Sequence, residues 1–548
     1  MTQHPSRVVE MPSPDPALVA AIRANPDDDT PRLACADWFE EQGDAASVAR
    51  AEFIRTQIER ARLEPGDPRQ GELLTRELRL LKGHATVWCG SHFVFKKSRF
   101  RRGFIEYVHL HLNHFLHHRR QMFALEPVRD VSLTGWMRAT DDLVRRVAAC
   151  EELKHIHTLR AHHQGPHKSP GRNLALLLES PHLSGLRSLR LPMLTHDRDA
   201  RGRLERAPAL RGLEDLTLAH LDIFPTDPGS WFSDGTPPEP WVNLRSLHLR
   251  DYRLRPEVLA ALCAMPFWNQ LTSLDVSLGW SRPPAIDALR DRLPDSLRTL
   301  RLAGDSPWEG GPAIDSLVRR ISELRLTEFR LHELPVTAGQ LGQLLGESSR
   351  CELRELTLTQ CHLDDAHARV LAASPRLREV RALDLSGNWQ ITPAGAAALL
   401  GSEHLTSVST LKLTSTPIGS EGVEALASNR WAGLRVLELT GTPASEDALR
   451  RLFTSDALQN LTALAYDAGY RYPTPVTPAL ASAIVALPRL ASVRLDNAVH
   501  DAETRRILTT ADSPVWVRIY GEDGDVGGTF DPGNQPPLDE YQTWSDQG

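Results

Sequence analysis

The 548-residue chain lacks several features that would assign it to a common functional class. No apolar run approaches the roughly 18 residues that a membrane-spanning helix requires, and residues 1–16 contain no apolar core of a secretory signal. The six cysteines lie far apart and form no CxxC pair of the kind found in zinc and redox sites. We therefore expect a protein that is reduced, cytoplasmic and not inserted in a membrane.

Signatures of catalysis are also missing from the sequence. The chain has no P-loop, no dinucleotide-binding GxGxxG segment and no GxSxG nucleophile elbow. The acidic triplet Asp27–Asp29 lacks the alternating ligands and the central glycine of a calcium loop. Cys361 has no histidine placed in a nucleophile signature, so we expect a structural thiol there. The prediction is a protein without enzymatic activity and without a bound cofactor.

Histidine is concentrated in two clusters, "HLHLNHFLHH" from His109 and "HIHTLRAHHQGPH" from His155. His114 and His118 are four residues apart, a spacing that places both on one helix face, where they could hold a zinc ion. The HExxH arrangement and a third ligand are absent. We therefore expect solvated or edge-capping imidazoles at the entrance of the repeats and no metal site.

Leucine is abundant and periodic. Fifteen windows of the LxxLxL type follow one another, most of them 26 to 31 residues apart. They begin at Ile105, Val128, Ile156, Leu186, Leu213, Leu244, Leu271, Leu297, Leu326, Leu353, Val380, Val408, Leu434, Leu461 and Leu490. A fixed period of this length is typical of a leucine-rich solenoid, in which parallel strands line one side and helices lie on the other. Asn388 and its equivalents Cys361, Thr416 and Thr442 follow the strands and are expected to hydrogen-bond the turn backbone.

The first quarter of the chain resembles a known bacterial domain. Residues 18–59 contain, in order, an Ala-Ile helix, a Pro-Asp-Asp turn, and the blocks Pro-Arg-Leu, Ala-Asp-Trp, Glu-Glu-x-Gly-Asp and Arg-Ala-Glu-Phe-Ile-Arg. This pattern is similar to the bacterial repeat-companion domain, which precedes leucine-rich repeats and lends an architecture rather than an activity. The unit from Leu383 to Leu400 is similar to the ribonuclease-inhibitor type of repeat, with a full helix on the outer side.

These patterns predict an α/β fold in which a leucine-rich-repeat solenoid follows a small α-helical N-terminal domain. We expect a disordered N-terminus over residues 1–15, a helical repeat-companion domain over 16–83, and a bridge and solenoid cap over 84–127. The solenoid is expected over residues 128–519, and an acidic tail rich in proline and glycine over 520–548. Within the helical domain, we expect the last helix to stop at Gly83.

In an LxxLxL strand the leucines point into the core, so the residues between them point outward across the concave sheet. The candidate partner-binding residues are therefore Arg160, Arg190, His248, Arg250, Arg301, Arg330, Thr357, Asp384, Lys412, Glu438 and Arg494. Long concave faces of solenoids bind extended or bulky partners. We predict a monomeric protein–protein interaction scaffold whose arginines bond the carboxylates of an unidentified protein partner.

Nucleic-acid binding is the alternative function. The basic stretch from Lys96 to Arg102 precedes the first repeat, and phosphate backbones favour such clusters of lysine and arginine. The neighbouring Phe93, Phe95 and Phe100 could stack on bases. The Arg- and His-rich half of the concave face would extend this surface, although the net charge of −7 excludes a uniformly basic binder.

Overall fold

The computed structural model describes residues 11–63, 69–89, 98–161, 171–191, 207–219, 241–250, 254, 256–278, 282–304, 312–429, 431, 433–467, 475–496, 501–508 and 516–520. The chain packs into two compact units. Of the described residues, the first unit contains 11–63 and 76–248, and the second contains 69–75 and those from 249 onward. The predicted N-terminal segment to residue 10, Lys96, Lys97, most of the second histidine cluster and the tail after Tyr520 lie outside the described residues.

The chain begins with four helices, α1 (Pro16–Ala24), α2 (Thr30–Glu41), α3 (Ala45–Arg62) and α4 (Arg69–Cys89). The first three and the part of α4 from Arg76 onward belong to the first unit. Asp44 caps α3 by accepting hydrogen bonds from the amides of Ala46 and Ser47. Gly43, with φ of +75°, follows α2 in the left-handed conformation that a C-terminal glycine supplies. The apolar faces of α1, α2 and α3 meet in a core that includes Ile22, Phe39 and Ile54.

The expectation that the fourth helix stops at Gly83 is wrong, because α4 continues to Cys89. Ala85 and Trp88, which lie beyond the glycine, are buried against Phe53 of α3. A glycine inside a helix costs only about 1 kcal/mol relative to alanine. Burial of a tryptophan ring outweighs that cost.

The strands of the first unit start with an antiparallel hairpin of β1 (Ser98–Arg101) and β2 (Phe104–His111). A parallel ladder then runs from β2 through β3 (Asp130–Thr134), β4 (Thr158–Ala161) and β5 (Ser188–Leu191) to β6 (Asp215–Ala219). Helices α5 (Leu112–Leu125), α6 (Asp141–Ala148) and α7 (Gly171–Leu178) lie between these strands. Strand β7 (Ser246–Arg250) contains the division between the units.

Two buried ion pairs join the helices of the first unit to its first repeat. Arg32 Nη2 lies 2.6 Å from Glu106 Oε1, and Arg50 Nη2 lies 2.8 Å from Glu126 Oε1. The Arg50 guanidinium also lies over the rings of Trp88, Phe100 and Phe104. Arg32 and Arg50 come from two of the sequence blocks that resemble the repeat-companion domain, so these blocks have a packing role here.

The second unit is a parallel ladder of ten strands. They are β8 (Ser273–Ser277), β9 (Thr299–Ala303), β10 (Glu328–His332), β11 (Glu355–Thr359), β12 (Ala382–Asp384), β13 (Thr410–Lys412), β14 (Val436–Thr440), β15 (Ala463–Asp467), β16 (Ser492–Asp496) and β17 (Trp516–Tyr520). Each strand pairs in parallel with the next, and the register places Leu356, Leu383 and Leu411 side by side in the core.

A helix precedes or follows each repeat strand of the second unit. These helices are α8 (Pro256–Cys263), α9 (Arg282–Arg290), α10 (Pro312–Ser322), α11 (Ala338–Leu344), α12 (Asp365–Ala373), α13 (Pro393–Leu400), α14 (Gly419–Ser428), α15 (Glu446–Phe453), α16 (Pro478–Val485) and α17 (Ala502–Leu508). The predicted leucine-rich-repeat solenoid is confirmed, since the fifteen windows coincide with β2 to β16. Strand β17 was not predicted as a repeat, because its segment lacks the LxxL half of the pattern.

The predicted structural position after each strand is confirmed. Asn388 is fully buried, and its Oδ1 accepts hydrogen bonds from the amides of Cys361 and Leu363 at 3.0 and 3.1 Å. Its Nδ2 donates to the carbonyls of Leu358 and Leu385. One side chain therefore satisfies four backbone groups of two adjacent turns that would otherwise be buried without partners.

The residue before that structural position is left-handed in five consecutive repeats. Glu333, Gln360, Gly387, Ser415 and Gly441 have φ values of 52°, 54°, 76°, 55° and 67°. This conformation turns the chain sharply at the end of each strand, and it disfavours residues other than glycine. The turn aligns the last outward side chain of every strand along one edge of the sheet.

Candidate partner-binding face

The outward side chains of the second unit form a surface that we call the sheet face. It consists of the residues that alternate with the buried leucines along β8 to β16. The register places Asp275, Arg301, Arg330 and Thr357 on neighbouring strands, followed by Asp384, Lys412 and Glu438. The predicted candidate residues of this unit therefore do lie on one surface.

The two central arginines of the sheet face already have carboxylate partners in their own sheet. Arg301 Nε lies 2.7 Å from Glu328 Oε1, and Arg330 contacts the same oxygen at 2.6 Å. Arg330 Nη2 lies 3.0 Å from Glu355 Oε2. Burial would lower the pKa of Arg301, but the bond to Glu328 raises it above its ordinary value. Sequence reasoning missed Glu328 and Glu355, which occupy the first outward position of β10 and β11.

A second group of charges lies three strands further along. Lys412 Nζ lies 3.0 Å from Glu438 Oε1, and both residues are only 7 % exposed. Desolvation raises the pKa of the adjacent Asp384, against a hydrogen bond from Ser386 and the positive charge of Lys412. A lysine and a glutamate held this deep are stabilised mainly by each other, and removing one would leave the other uncompensated.

Between these two charged groups the sheet face is hollowed into a pocket of about 740 Å³, which we call the sheet-face pocket. Its central wall carries the hydroxyls of Thr357, Thr359, Ser386 and Thr414. Arg301 and Arg330 line one end, and Lys412, Glu438 and Arg494 also contribute to its lining. A pocket of this size matches the roughly 300–1,000 Å³ of ordinary binding pockets.

Trp389 stands on the rim of the sheet-face pocket and is 64 % exposed. It immediately follows the buried Asn388, so its backbone is fixed by the hydrogen bonds of that side chain. Its indole ring meets the ring of His362 edge to face at 5.9 Å. Sequence reasoning missed this residue because its position in the turn has no periodic signal.

The candidate residues of the first unit and of β7 are also bonded within the sheet. Arg160 pairs with Asp130, and its guanidinium lies over the ring of Tyr107. His248 accepts or donates a hydrogen bond with Ser246 at 2.9 Å. In the second unit, Arg250 lies 3.8 Å from the buried Asp275. Arg190 pairs in register with Arg160 and Thr217 on the ladder of the first unit.

Two arginines in the described part of the predicted basic bridge pair with the acidic triplet. Arg102 lies 3.4 Å from Asp29 and 3.7 Å from Asp27, and it donates a hydrogen bond to the Asp27 carbonyl. Arg101 contacts Asp27 as well. Phe100, one of the aromatic residues suggested for base stacking, packs against Phe53 and the guanidinium of Arg50. Sequence reasoning treated the two charged stretches separately because 66 residues, 30–95, lie between them.

Two histidines of the first cluster, His109 and His111, form hydrogen bonds with their surroundings. His109 shares a hydrogen bond of 2.7 Å with Ser132, and His111 accepts one from the Asn113 amide at the start of α5. The rings of His114 and His118 lie 4.3 Å apart on α5, as their spacing predicted. Within the described residues there is no group of three or more histidine, cysteine or acidic side chains that could hold a metal ion.

All six cysteines carry free thiols, and five of them are buried. Burial raises the pKa of the Cys361 thiol to about 12, and its sulfur bonds only backbone carbonyls, those of Leu331 and Thr359. A thiol with such a pKa is not a nucleophile near neutral pH. The structural role predicted for Cys361 is confirmed by these contacts. Among the described residues, no helix is long and apolar enough to cross a membrane.

The repeats, the parallel ladder and the buried asparagine position together define a leucine-rich-repeat solenoid. A family model described as Leucine Rich repeat matches residues 378–400 and 404–427. These two segments contain β12, α13, β13 and most of α14. No curated protein matches the chain.

Three solved structures are similar to this chain at low sequence identity. The complex of Rad7 and Elc1 from yeast matches with a TM-score of 0.43 and 14% identity, over 93% of this chain and 98% of that chain. The TLR13–ssRNA13 complex matches with a TM-score of 0.31 and 15% identity, over 67% and 61%. LegL7, a leucine-rich repeat-containing protein from Legionella pneumophila, matches with a TM-score of 0.29 and 17% identity, over 64% and 97%.

Proposed function

We propose that the chain is a non-enzymatic interaction scaffold whose sheet face binds another protein. One observation carries the proposal: seven of the eleven residues predicted from the repeat pattern line one pocket, namely Arg301, Arg330, Thr357, Asp384, Lys412, Glu438 and Arg494. The pocket combines hydroxyls, paired charges and an exposed tryptophan on its rim. Protein interfaces favour such a mixture, with aromatic and arginine side chains near the centre.

The proposal extends to the architecture and the location of the chain. We assign α1 to α4 to a repeat-companion domain of bacterial type and the repeats to the ribonuclease-inhibitor type, since seven- to eleven-residue helices alternate with the strands of the second unit. Six free cysteines are what a reducing compartment such as the cytoplasm would maintain. Arg160, Arg190, His248 and Arg250 are proposed as further partner contacts on their own strands, and the chain as a monomer.

Nucleic-acid binding is the weaker candidate. Phosphate recognition depends on cations that exchange their counterions for the nucleic acid. Arg101 and Arg102 instead hold Asp27 and Asp29 at 3.4 to 3.7 Å, so a nucleic acid would have to displace these carboxylates. A nucleic acid that bound Arg301 or Arg330 would likewise have to displace the carboxylate of Glu328 or Glu355.

The proposal is tested by blocking the sheet-face pocket. Thr357 is half-buried at its centre, and Thr357→Arg would fill the pocket with a long charged side chain. Gln343→Arg is the matched control, because it introduces the same residue at an exposed position of α11 on the helix side. Proteins captured from host lysate by the immobilised full-length chain are identified by mass spectrometry. We expect to find a host protein that both the wild-type chain and the Gln343→Arg variant capture and that the Thr357→Arg variant does not. Equal capture of every host protein by the three chains would contradict the proposal.

A further inference from the structure

The strands of the sheet face end in a line of hydroxyl groups that we call the hydroxyl row. It consists of Thr359, Ser386, Thr414 and Thr440, which occupy the same position in four consecutive repeats. Backbone hydrogen bonds hold them in line: the Gln360 amide donates to the Ser386 carbonyl, the Gly387 amide to Thr414, and the Ser415 amide to Thr440. The left-handed residues that end each strand are what allow these bonds.

Three residues of the hydroxyl row, Thr359, Ser386 and Thr414, line the sheet-face pocket, and the Thr359 hydroxyl also bonds the Leu331 carbonyl. Each hydroxyl offers one donor and two acceptor positions. Thr440, the fourth member, lies outside the lining of the pocket, and its hydroxyl is buried without a hydrogen-bond partner in the described part of the chain. His332 continues the line on β10, and its Nδ1 lies 2.9 Å from the hydroxyl of Thr359. Groups that can both donate and accept suit the amides and carbonyls of a peptide backbone, which present both kinds of group in alternation.

The charges that flank the hydroxyl row are matched within the sheet. Arg301 and Arg330 are held by Glu328 and Glu355, and Lys412 by Glu438. Arg330 has a side chain only 13 % exposed, so its pairing with two carboxylates is largely shielded from water. An anionic partner would have to break these ion pairs. Breaking one is costly because the glutamate that remains is poorly hydrated and has no counter-charge. Charge matching therefore favours a partner segment without net charge.

Trp389 supplies the apolar contact beside this polar row. Only three large hydrophobic side chains are exposed among the described residues, and Trp389 is the most exposed of them. Tryptophan is the residue type most enriched at the energetic centres of protein interfaces. Its position next to the buried Asn388 fixes the backbone, so binding costs little ordering of the protein there.

We propose that the sheet-face pocket binds an uncharged peptide segment of a protein, with an aromatic or aliphatic side chain against Trp389 and backbone groups on the hydroxyl row. The inference rests on the proposed function and identifies the chemistry of its partner. Arg301 and Arg330 form the wall of the pocket, and Trp389 is the anchor. Binding of this kind depends little on salt, because no unpaired charges are brought together.

A phage library of random linear peptides, panned on the full-length wild-type chain, tests the proposal. We expect the selected peptides to carry no net charge and to share one large apolar residue. Their affinity for Trp389→Ala should be at least about tenfold lower than for the wild type, since truncation of a tryptophan that anchors an interface typically weakens binding by that factor or more. It should change by no more than about threefold in Trp389→Phe, which retains an aromatic ring. Because Trp389 is exposed, thermal unfolding should be unchanged in both variants.

Salt provides the second readout. Raising the salt concentration from about 0.1 M to about 1 M shortens the screening length from about 10 Å to about 3 Å, and the affinity should remain nearly constant. Acidic peptides whose binding is lost at high salt, is lost in Arg301→Ala/Arg330→Ala and persists in Trp389→Ala would overturn this inference.

The Thr357→Arg variant separates that outcome from a failure of the proposed function. If acidic peptides are selected and Thr357→Arg abolishes their binding, the sheet face remains a docking surface with a different partner chemistry. If the library yields only peptides that Thr357→Arg binds as well as the wild type, or yields none, both the inference and the proposed function are contradicted.

Discussion

At the scale of single residues, Asn388 determines the geometry of the candidate site. Its side chain bonds four backbone groups, and these bonds fix the turn that presents Gly387 and Trp389. Thr416 fills the equivalent position one repeat later with a single bond, from its hydroxyl to the Leu385 carbonyl at 2.9 Å. Substitution of Asn388 and of Thr416 therefore removes different numbers of hydrogen bonds at the same position of the repeat.

Asn388→Ala is expected to destabilise the second unit by roughly 3 kcal/mol or more, because several buried backbone groups lose their partners at about 1–3 kcal/mol each. Thr416→Val, which removes one bond and keeps the shape, is expected to cost about 1 kcal/mol. Hydrogen exchange of the full chain measures both effects, and the amides of Cys361 and Leu363 should lose protection in Asn388→Ala only. Equal protection of these amides in the two variants would contradict the role assigned to Asn388.

At the scale of elements, α3 is tied to the first repeat by a charge buried among aromatic rings. Burial raises the pKa of Glu126, against the attraction of Arg50 and a hydrogen bond from the Ile105 amide. The pair is therefore costly to form and more costly to break. Arg55, on the same helix, pairs with Asp37 and Glu40 at the surface instead.

Arg50→Ala is expected to cost about 3–5 kcal/mol at neutral pH, since it leaves the Glu126 carboxylate buried alone. Arg55→Ala, the control on the same helix, should cost less than about 1 kcal/mol. In the Arg50→Ala variant the pKa of Glu126 is higher in the folded protein than in the unfolded chain. At a pH between these two pKa values, folding is therefore accompanied by uptake of a proton. The loss in free energy of unfolding caused by Arg50→Ala is largest at a pH above the pKa of Glu126 in the folded protein. It decreases as the pH falls towards the pKa of Glu126 in the unfolded chain. Urea unfolding of the full chain as a function of pH measures this, and a penalty that grows on acidification would contradict the account.

The elements could be predicted from the sequence where a period repeats, and could not where contacts join distant segments. The spacing of Leu356, Leu383 and Leu411 predicted the strands, and the position of Asn388 predicted its bonds, because both recur in every repeat. The contact of Arg102 with Asp27 and Asp29 had no such signal, because packing of the folded chain creates it. The carboxylates of Glu328 and Glu355 were missed because only the central outward position of each strand and the one two residues later were considered, and Trp389 was missed because its position in the turn has no periodic signal.

At the scale of the whole molecule, the repeat pattern produces the sheet face that we propose as the binding surface. The thiols of Cys35, Cys89, Cys263 and Cys361 have pKa values that burial raises to about 12. At the centre of the sheet face, Arg301 and Arg330 are paired with Glu328 and Glu355, and Lys412 is paired with Glu438.

Hydrogen–deuterium exchange of the full chain, with and without a saturating partner or selected peptide, tests whether the sheet face is the binding surface. If the sheet face binds the partner, added protection should be confined to residues 332–334, 359–363, 386–390 and 414–416, at the ends of β10 to β13. Helices α11 to α14 on the opposite side should exchange unchanged. Added protection on those helices, with none at the strand ends, would contradict the assignment of the sheet face as the binding surface.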